Sequence, residues 1–354
     1  MRTDRIRRKT PVNPAHEASK LPKVNHHAIS LPSFAKINWS LQILGKRPDG
    51  YHEVTTLLQT ISLHDDLHFE ATNEGAISLS CDEPGIPTND ENLIVRAAYA
   101  LKHRYRIVQG ARIRLEKRIP AKAGLGGASS NAAVSLLALT HLWRVAASAP
   151  MLLQIAATLG ADVPFFLLGG RALATGTGAT VSSLPDSVDD DVRHLIVITP
   201  NAGVSTTEAY AAVSSLALTT KNTDPILSSS RNEANLQHSR PWPLDDEWKD
   251  RSQDGLKNDF EPVIFDIEPE IRRTKETLLQ AGARGALLAG SGSSVFGIFA
   301  DRKDQERAVE EIKLEAGWRI FPCVTVSRNE YLRAVGSWDI PFLRSFNSGS
   351  DIGA

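Results

Sequence analysis

Pro120 to Ala133 reads PAKAGLGGASSNAA, and this run joins a strand pattern to a helix pattern through glycines. Before it, Ala111, Ile113 and Leu115 alternate with Arg112, Arg114 and Glu116, the period of a strand with one wet face. After it, Ala132 to Trp143 is almost unbroken Ala, Val and Leu, which predicts a helix buried on most sides, with Ser129, Ser130 and Asn131 as cap-type residues. Gly124, Gly126 and Gly127 lack Cβ atoms, so the backbone between the two elements can take positive φ and turn several N–H groups on one anion. A helix N-terminus adds unpaired donors and partial positive charge.

Two other glycine loops are excluded. A Walker loop ends in Gly-Lys-Ser/Thr, whereas Gly127 is followed by Ala128 and Ser129. A dinucleotide fingerprint needs glycine at position 129 and an acid about twenty residues on, yet no acid lies between Asn131 and Gly160. A tight turn with packing glycines remains the plain alternative. The serines and Asn131 at the helix start tip the reading towards phosphate.

With 40 basic against 41 acidic side chains there is no global field to recruit nucleic acid or an anionic membrane, so an anion site must be local. Cys81 and Cys323 lack metal-type spacing and form no disulfide framework, which fits a reducing cytoplasm. No apolar run is long enough to span a bilayer. Residues 1–29 are basic, proline-containing and without apolar period, which predicts a disordered extension, an organellar transit peptide being the alternative.

From Phe34, Ala35, Ile37, Trp39, Leu41 and Ile43 fall on one strand face and Lys36, Asn38, Ser40 and Gln42 on the other. The polar face is either solvated or the lining of a cleft, and Asn beside Lys favours the cleft. Past the Gly45 to Gly50 turn, Tyr51 and His52 lead into a second strand, Val54 to Leu63. Further helices are expected over 91–103, 148–160, 268–281 and 304–315, and strands over 195–199, 284–299 and 321–327. Asp162, among apolar neighbours just after the second helix, either caps a turn or is a partly desolvated candidate base. Residues 215–255 read as a polar insertion and 337–354 as an unpatterned tail.

Three segments together, SFAKINWSLQILGKRPDGYHEV from Ser33, IPAKAGLGGASSNAA from Ile119 and LLAGSGSSVFGIF from Leu287, resemble the signature motifs of the GHMP kinases. Within them they resemble the branch whose acceptor is 4-diphosphocytidyl-2-C-methyl-D-erythritol; GADVPFF, NLIVRAA and NDFEP point the same way, while Ala128 stands where many of that branch have glycine. The resemblance implies a two-domain α/β (α+β) fold. A nucleotide-binding domain with a ribosomal-protein-S5-like core would span 30–173 and 319–335, a smaller substrate domain 174–318. It implies Lys36 and Asp162 as the catalytic pair, supported by Asn38, and a cofactor-binding ATP loop made of Pro120, Ala121, Lys122, Ala123, Gly124, Leu125, Gly126, Gly127, Ala128, Ser129 and Ser130. It implies that Tyr51 stacks on the cytosine, that His52 hydrogen-bonds it, and that Tyr210 is a second stacking aromatic. It implies ATP and Mg²⁺ and a cytidine diphosphate substrate with no nucleic acid or membrane partner; the Mg²⁺ ligands are poorly marked in the sequence, with Ser129 or Ser130 the candidate. A monomer or weak dimer is expected. Mevalonate or homoserine phosphorylation, and a catalytically silent GHMP-fold binding protein, are the alternatives; Tyr51 with His52 argues against the first, Lys36 with Asp162 against the second.

Overall fold

The structure is a computed structural model describing residues 28–185, 192–219 and 256–336. The extension up to residue 27, the insertion from 220 and the tail from 337 lie outside the described residues. The mixed α/β expectation holds.

Two long strands form the spine. β1 (Ala28–Lys46) and β2 (His52–Thr72) pair antiparallel along their whole length, with register shifts after Phe34, Asn38 and Ile43. The other edge of β2 is shared. Its first half pairs β5 (Arg171–Gly176) and its second half pairs β4 (Gly110–Glu116). β3 (Ile77–Cys81) runs parallel to β4, β6 (Thr180–Ser183) pairs β5, and β8 (Lys257–Asn258) runs parallel to β1, which completes seven strands. A second, four-stranded sheet has the order β11 (Arg319–Val324), β7 (His194–Thr199), β10 (Val295–Phe299), β9 (Gly285–Leu288).

Helices α1 (Leu93–Tyr105), α2 (Gly127–Leu142), α3 (Ala149–Leu159) and α4 (Val163–Leu168) share one apolar cluster with the first sheet. In α1, Asn92 caps the Ile94 N–H, worth about 1 kcal/mol. Ser130 through Thr140 of α2 are all buried, as its all-round apolar pattern predicts. Its start differs from expectation. The helix begins at Gly127 behind Gly126 in the left-handed region (φ 71°), so Ser129, Ser130 and Asn131 lie inside the first turns and none is the cap.

Helices α5 (Thr206–Thr219), α6 (Glu261–Ile267), α7 (Pro269–Gln280) and α8 (Arg302–Glu311) accompany the second sheet. Along β7, Leu195 and Val197 face one cluster and Ile196 and Ile198 another, so both faces are covered. The first of these lies between the sheets, where Trp39 meets Phe296 edge-on at 5.5 Å.

The first sheet continues past residue 173 to Ser183 and takes in Lys257–Asn258. Residues 215–219 belong to α5 rather than to a polar insertion. The segment 319–335 meets the first sheet just past β11, where Thr325 forms an antiparallel bridge with Ile61 of β2 and the Val326 N–H donates to the Thr60 carbonyl at 2.9 Å. β11 itself pairs β7, and α9 (Arg328–Gly336) carries Tyr331, Leu332 and Val335 into the first core.

Candidate active site

The polar face of β1 is buried, which settles its two readings. Lys36 is 4% exposed and Asn38 2%, with the Lys36 ammonium donating to Asn38 Oδ1 at 2.8 Å. Asn38 Nδ2 donates to Thr56 Oγ1 at 2.7 Å, and Thr56 donates in turn to the Ser40 carbonyl at 2.6 Å. That chain fixes the amide so that its oxygen must face the lysine. The Lys36 ammonium also lies 3.5 Å from Asp162 Oδ2. Asp162 precedes α4 but makes no capping bond, and its side chain stays 35% exposed. One side of the carboxylate meets a buried cation and the other opens outward, the arrangement a proton acceptor requires.

The glycine loop closes over the same lysine. The Lys36 N–H donates to the Leu125 carbonyl at 3.0 Å, and a Cβ on Gly126 would lie 2.7 Å from Phe166 Cζ and 3.1 Å from Lys36 Cγ. Pro120, Ala123, Leu125 and Ser130 are buried, while Ala121, Lys122 and Ala128 face out. The first helical bond of α2 runs from the Ser130 N–H to the Gly126 carbonyl, leaving the N–H groups of Gly127, Ala128 and Ser129 at an open helix end. The third glycine segment packs on the loop. A Cβ on Gly290 would stand 3.0 Å from the Gly124 carbonyl oxygen and 3.1 Å from Lys36 Nζ, and the Ser294 N–H donates to the Ala123 carbonyl at 3.1 Å. Asn258 holds this segment by donating to the carbonyls of Leu288 (2.9 Å) and Gly290 (2.7 Å).

His52 stacks on Tyr210 with centroids 4.7 Å apart, and Tyr210 meets Phe260 edge-on at 4.9 Å. Ser214 Oγ donates its hydrogen to the Tyr210 carbonyl and sits 2.9 Å from His52 Nε2. With that hydrogen used, His52 Nε2 is the donor and Nδ1 is left as an acceptor. Burial, followed by nearby Lys46, pushes the His52 pKa below its ordinary value, so the ring is neutral at neutral pH. Burial, then the Asp162 charge, pushes the Tyr210 hydroxyl up, which ties this aromatic pair electrostatically to the Lys36 and Asp162 corner. Tyr51 is not in the stack. Its ring is 67% exposed, and its carbonyl accepts from the Arg47 N–H at 2.7 Å.

A magnesium ion finds little protein around it. Among the described residues no group of His, Cys, Asp and Glu is arranged to hold a metal, and Ser130 is fully buried with its oxygen accepting from Ser33 Oγ at 2.7 Å. Ser129, half-buried at the open end of α2, is the hydroxyl still available. The residues fit a cation carried in by a polyphosphate. Thr56, Phe166, Gly290 and Asn258 were not singled out from sequence as site residues; Phe166, Gly290 and Asn258 do lie within recognised short segments, and Thr56 carries no local signal.

Residues 92–170 match the GHMP kinases N terminal domain and 246–316 match GHMP kinases C terminal. The chain is 42% identical, over 75% of its length and 88% of the relative's, to the 4-diphosphocytidyl-2-C-methyl-D-erythritol kinase of Pelotomaculum thermopropionicum. A crystal structure of 4-(cytidine 5'-diphospho)-2C-methyl-D-erythritol kinase superposes with a TM-score of 0.66 at 33% identity, covering 84% of this chain and 98% of that one. L. major mevalonate kinase, at 14% identity and TM-score 0.63 over 87% of this chain and 98% of that one, shares the fold.

Proposed function

The chain belongs to the 4-diphosphocytidyl-2-C-methyl-D-erythritol kinases of the GHMP group, and from that premise we propose that it transfers the γ-phosphoryl group of ATP to the 2-hydroxyl of 4-diphosphocytidyl-2-C-methyl-D-erythritol, a step towards isoprenoid precursors. The observation that carries the reading is the 3.5 Å pair of buried Lys36 and half-open Asp162 beneath the glycine loop. The acceptor is a tertiary alcohol, crowded and weakly acidic, so its proton has to leave as its oxygen attacks phosphorus. Asp162 takes that proton while the bond from the γ-phosphorus to the bridging oxygen breaks and ADP leaves. Lys36 holds the carboxylate and offsets negative charge around the transferring group; the N–H groups of Gly127, Ala128 and Ser129 bind phosphate oxygens. Ser129, with phosphate oxygens and water, would hold Mg²⁺, which would supply charge neutralisation on the triphosphate.

The cytosine is recognised at His52 and Tyr210. A neutral imidazole with Nδ1 as acceptor suits the donor amino group of that base, and Tyr210, stacked on His52 at 4.7 Å, orients the imidazole for that bond. Tyr51, exposed and next to His52 in the chain, is the aromatic that stacks on the base. The same reading has the enzyme act in the cytoplasm as a monomer or weak dimer without a nucleic acid partner. Among the described residues no helix is long and apolar enough to cross a membrane.

Protein supplied with ATP, Mg²⁺ and this acceptor should release ADP and the 2-phosphate. Asp162→Asn keeps the side chain's shape and loses its basicity, so kcat should fall ~10²–10⁴-fold with ATP affinity unchanged. Near-wild-type turnover in that variant removes the base assignment.

A further inference from the structure

We propose that Asp65 is a positioning residue for nucleotide binding, a buried carboxylate that clasps both ends of the phosphate loop; this rests on reading Pro120 to Ser130 as that loop. Asp65 lies in β2 and is fully buried. Its Oδ1 accepts the N–H groups of Arg118 and Ile119, each at 2.7 Å, on the limb that enters the loop. Its Oδ2 accepts Asn131 Nδ2 at 3.0 Å, from the helix by which the chain leaves the loop. Lys117 Nζ bonds both oxygens, at 3.1 and 2.9 Å, and also donates to the Ile119 carbonyl. Every one of these donors comes from residues flanking the loop, and none from elsewhere in the sheet.

The energetics make the clasp obligatory. A buried carboxylate is tolerable only when its lone pairs and its charge are met, so Asp65 is satisfied only with both limbs in place. Its position in the sheet explains why it is available. β2 pairs β5 as far as Gln59 and β4 from Asp66, and Asp65 stands at the end of the gap between them, where the chain after β4 turns into the loop. Ser33, its register partner on β1, adds a second tie by donating to Ser130 Oγ at 2.7 Å. Lys117 is thereby committed to Asp65, with its side chain 8% exposed, and is not the cation that meets phosphate. The loop's amides are thus held in a binding geometry before the nucleotide arrives, which lowers the ordering cost of binding.

The test measures Kd for β,γ-imido-ATP and for CDP, with the melting temperature, on three variants. Asp65→Asn keeps the shape and removes the charge. Asn131→Ala cuts only the tie to the helix and carries the test if Asp65→Asn does not fold. Ala128→Glu, at an exposed loop position, sets a carboxylate where phosphate would lie and tests the loop itself. The clasp predicts that Asp65→Asn weakens the ATP analogue roughly tenfold or more and Asn131→Ala by several-fold, both with CDP binding unchanged. Wild-type ATP affinity in both variants while Ala128→Glu loses it overturns the clasp and leaves the loop reading standing. Unchanged ATP affinity in all three overturns the loop reading and the clasp with it. Equal loss of both ligands alongside a lowered melting temperature makes Asp65 a general stability residue and overturns the proposal.

Discussion

A lysine buried to 4% exposure persists in a fold only where its charge is answered, and Lys36 is answered by Asn38 at 2.8 Å and Asp162 at 3.5 Å. The same economy of partners sets the proposed cytosine pocket. His52 gives its one N–H to Ser214, so its remaining nitrogen is an acceptor with a fixed role. Removing either ring of the pair by His52→Ala or Tyr210→Ala should weaken the cytidine ligand by about tenfold or more, since a base edge left unpaired costs ~1–3 kcal/mol, and should leave ATP affinity alone. Isothermal titration with both ligands on each variant distinguishes this from simple packing, which would lower both affinities together. The acceptor role also has a pH signature. Because burial lowers the His52 pKa, the ring stays neutral as pH falls through the ordinary imidazole value of about 6.5 and gains its proton only below it. Cytidine affinity should therefore be level from mildly alkaline pH to that value and fall at more acidic pH, and His52→Gln should flatten the fall. The linkage has the matching sign: unfolded chain takes up the proton first, so this group's share of stability declines as pH falls below the ordinary value. Affinity that rises on acidification would contradict a neutral acceptor.

At the level of elements, the site depends on backbones that approach more closely than side chains allow. Gly290 has φ 57° and leaves room for only 3.1 Å between a Cβ and Lys36 Nζ, so Gly290→Ala must displace either the lysine or the phosphate loop. We expect kcat to drop about ten- to a hundredfold. Gly282 is the control, since it has φ 92° with its nearest neighbour, an Arg307 side-chain nitrogen, at 3.8 Å. Gly282→Ala should lower the melting temperature through backbone strain and spare kcat; equal kcat losses in the two variants would show that the Gly290 effect is strain alone. The strand, loop and helix around Pro120 were legible because alternation at 111–116 and the apolar run after Ser130 are local signals. The burial of the polar face of β1 was only partly so, because α4 and two glycine segments distant in sequence cover Lys36. The length of β2 was hidden, since His64, Asp65 and Asp66 look like a turn until Asp65 finds donors more than fifty residues away. Alternation identifies a strand and not its neighbour, and here β11 pairs β7 while Thr325, just past its end, bridges Ile61 of the first sheet. Tyr51 and His52 are adjacent, so their side chains diverge, and sequence alone does not say which one reaches Tyr210.

Across the whole molecule, the site exists only where the two sheets meet. β1, the phosphate loop and Asp162 come from the first sheet and its helices, while Tyr210 and the Gly290 segment come from the second. β8 stitches them: Lys257 and Asn258 pair with Ser40 and Leu41 of β1, and the Asn258 amide bonds the carbonyls that precede and begin the Gly290 turn. We propose the sequence-based domain limits in that light, with the nucleotide on the first unit and the cytidine moiety towards the second. A shared fold does not choose the acceptor, as the likeness to a mevalonate kinase at 14% identity illustrates. We propose that the pocket at His52 and Tyr210 does. The most direct measurement is therefore kcat/KM for 4-diphosphocytidyl-2-C-methyl-D-erythritol, mevalonate and homoserine with the same protein, ATP and Mg²⁺. The account predicts turnover of the cytidine acceptor, reduced ~10²–10⁴-fold in Asp162→Asn, with the other two at background, whereas efficient phosphorylation of mevalonate or homoserine, or no turnover of the cytidine acceptor, would contradict it.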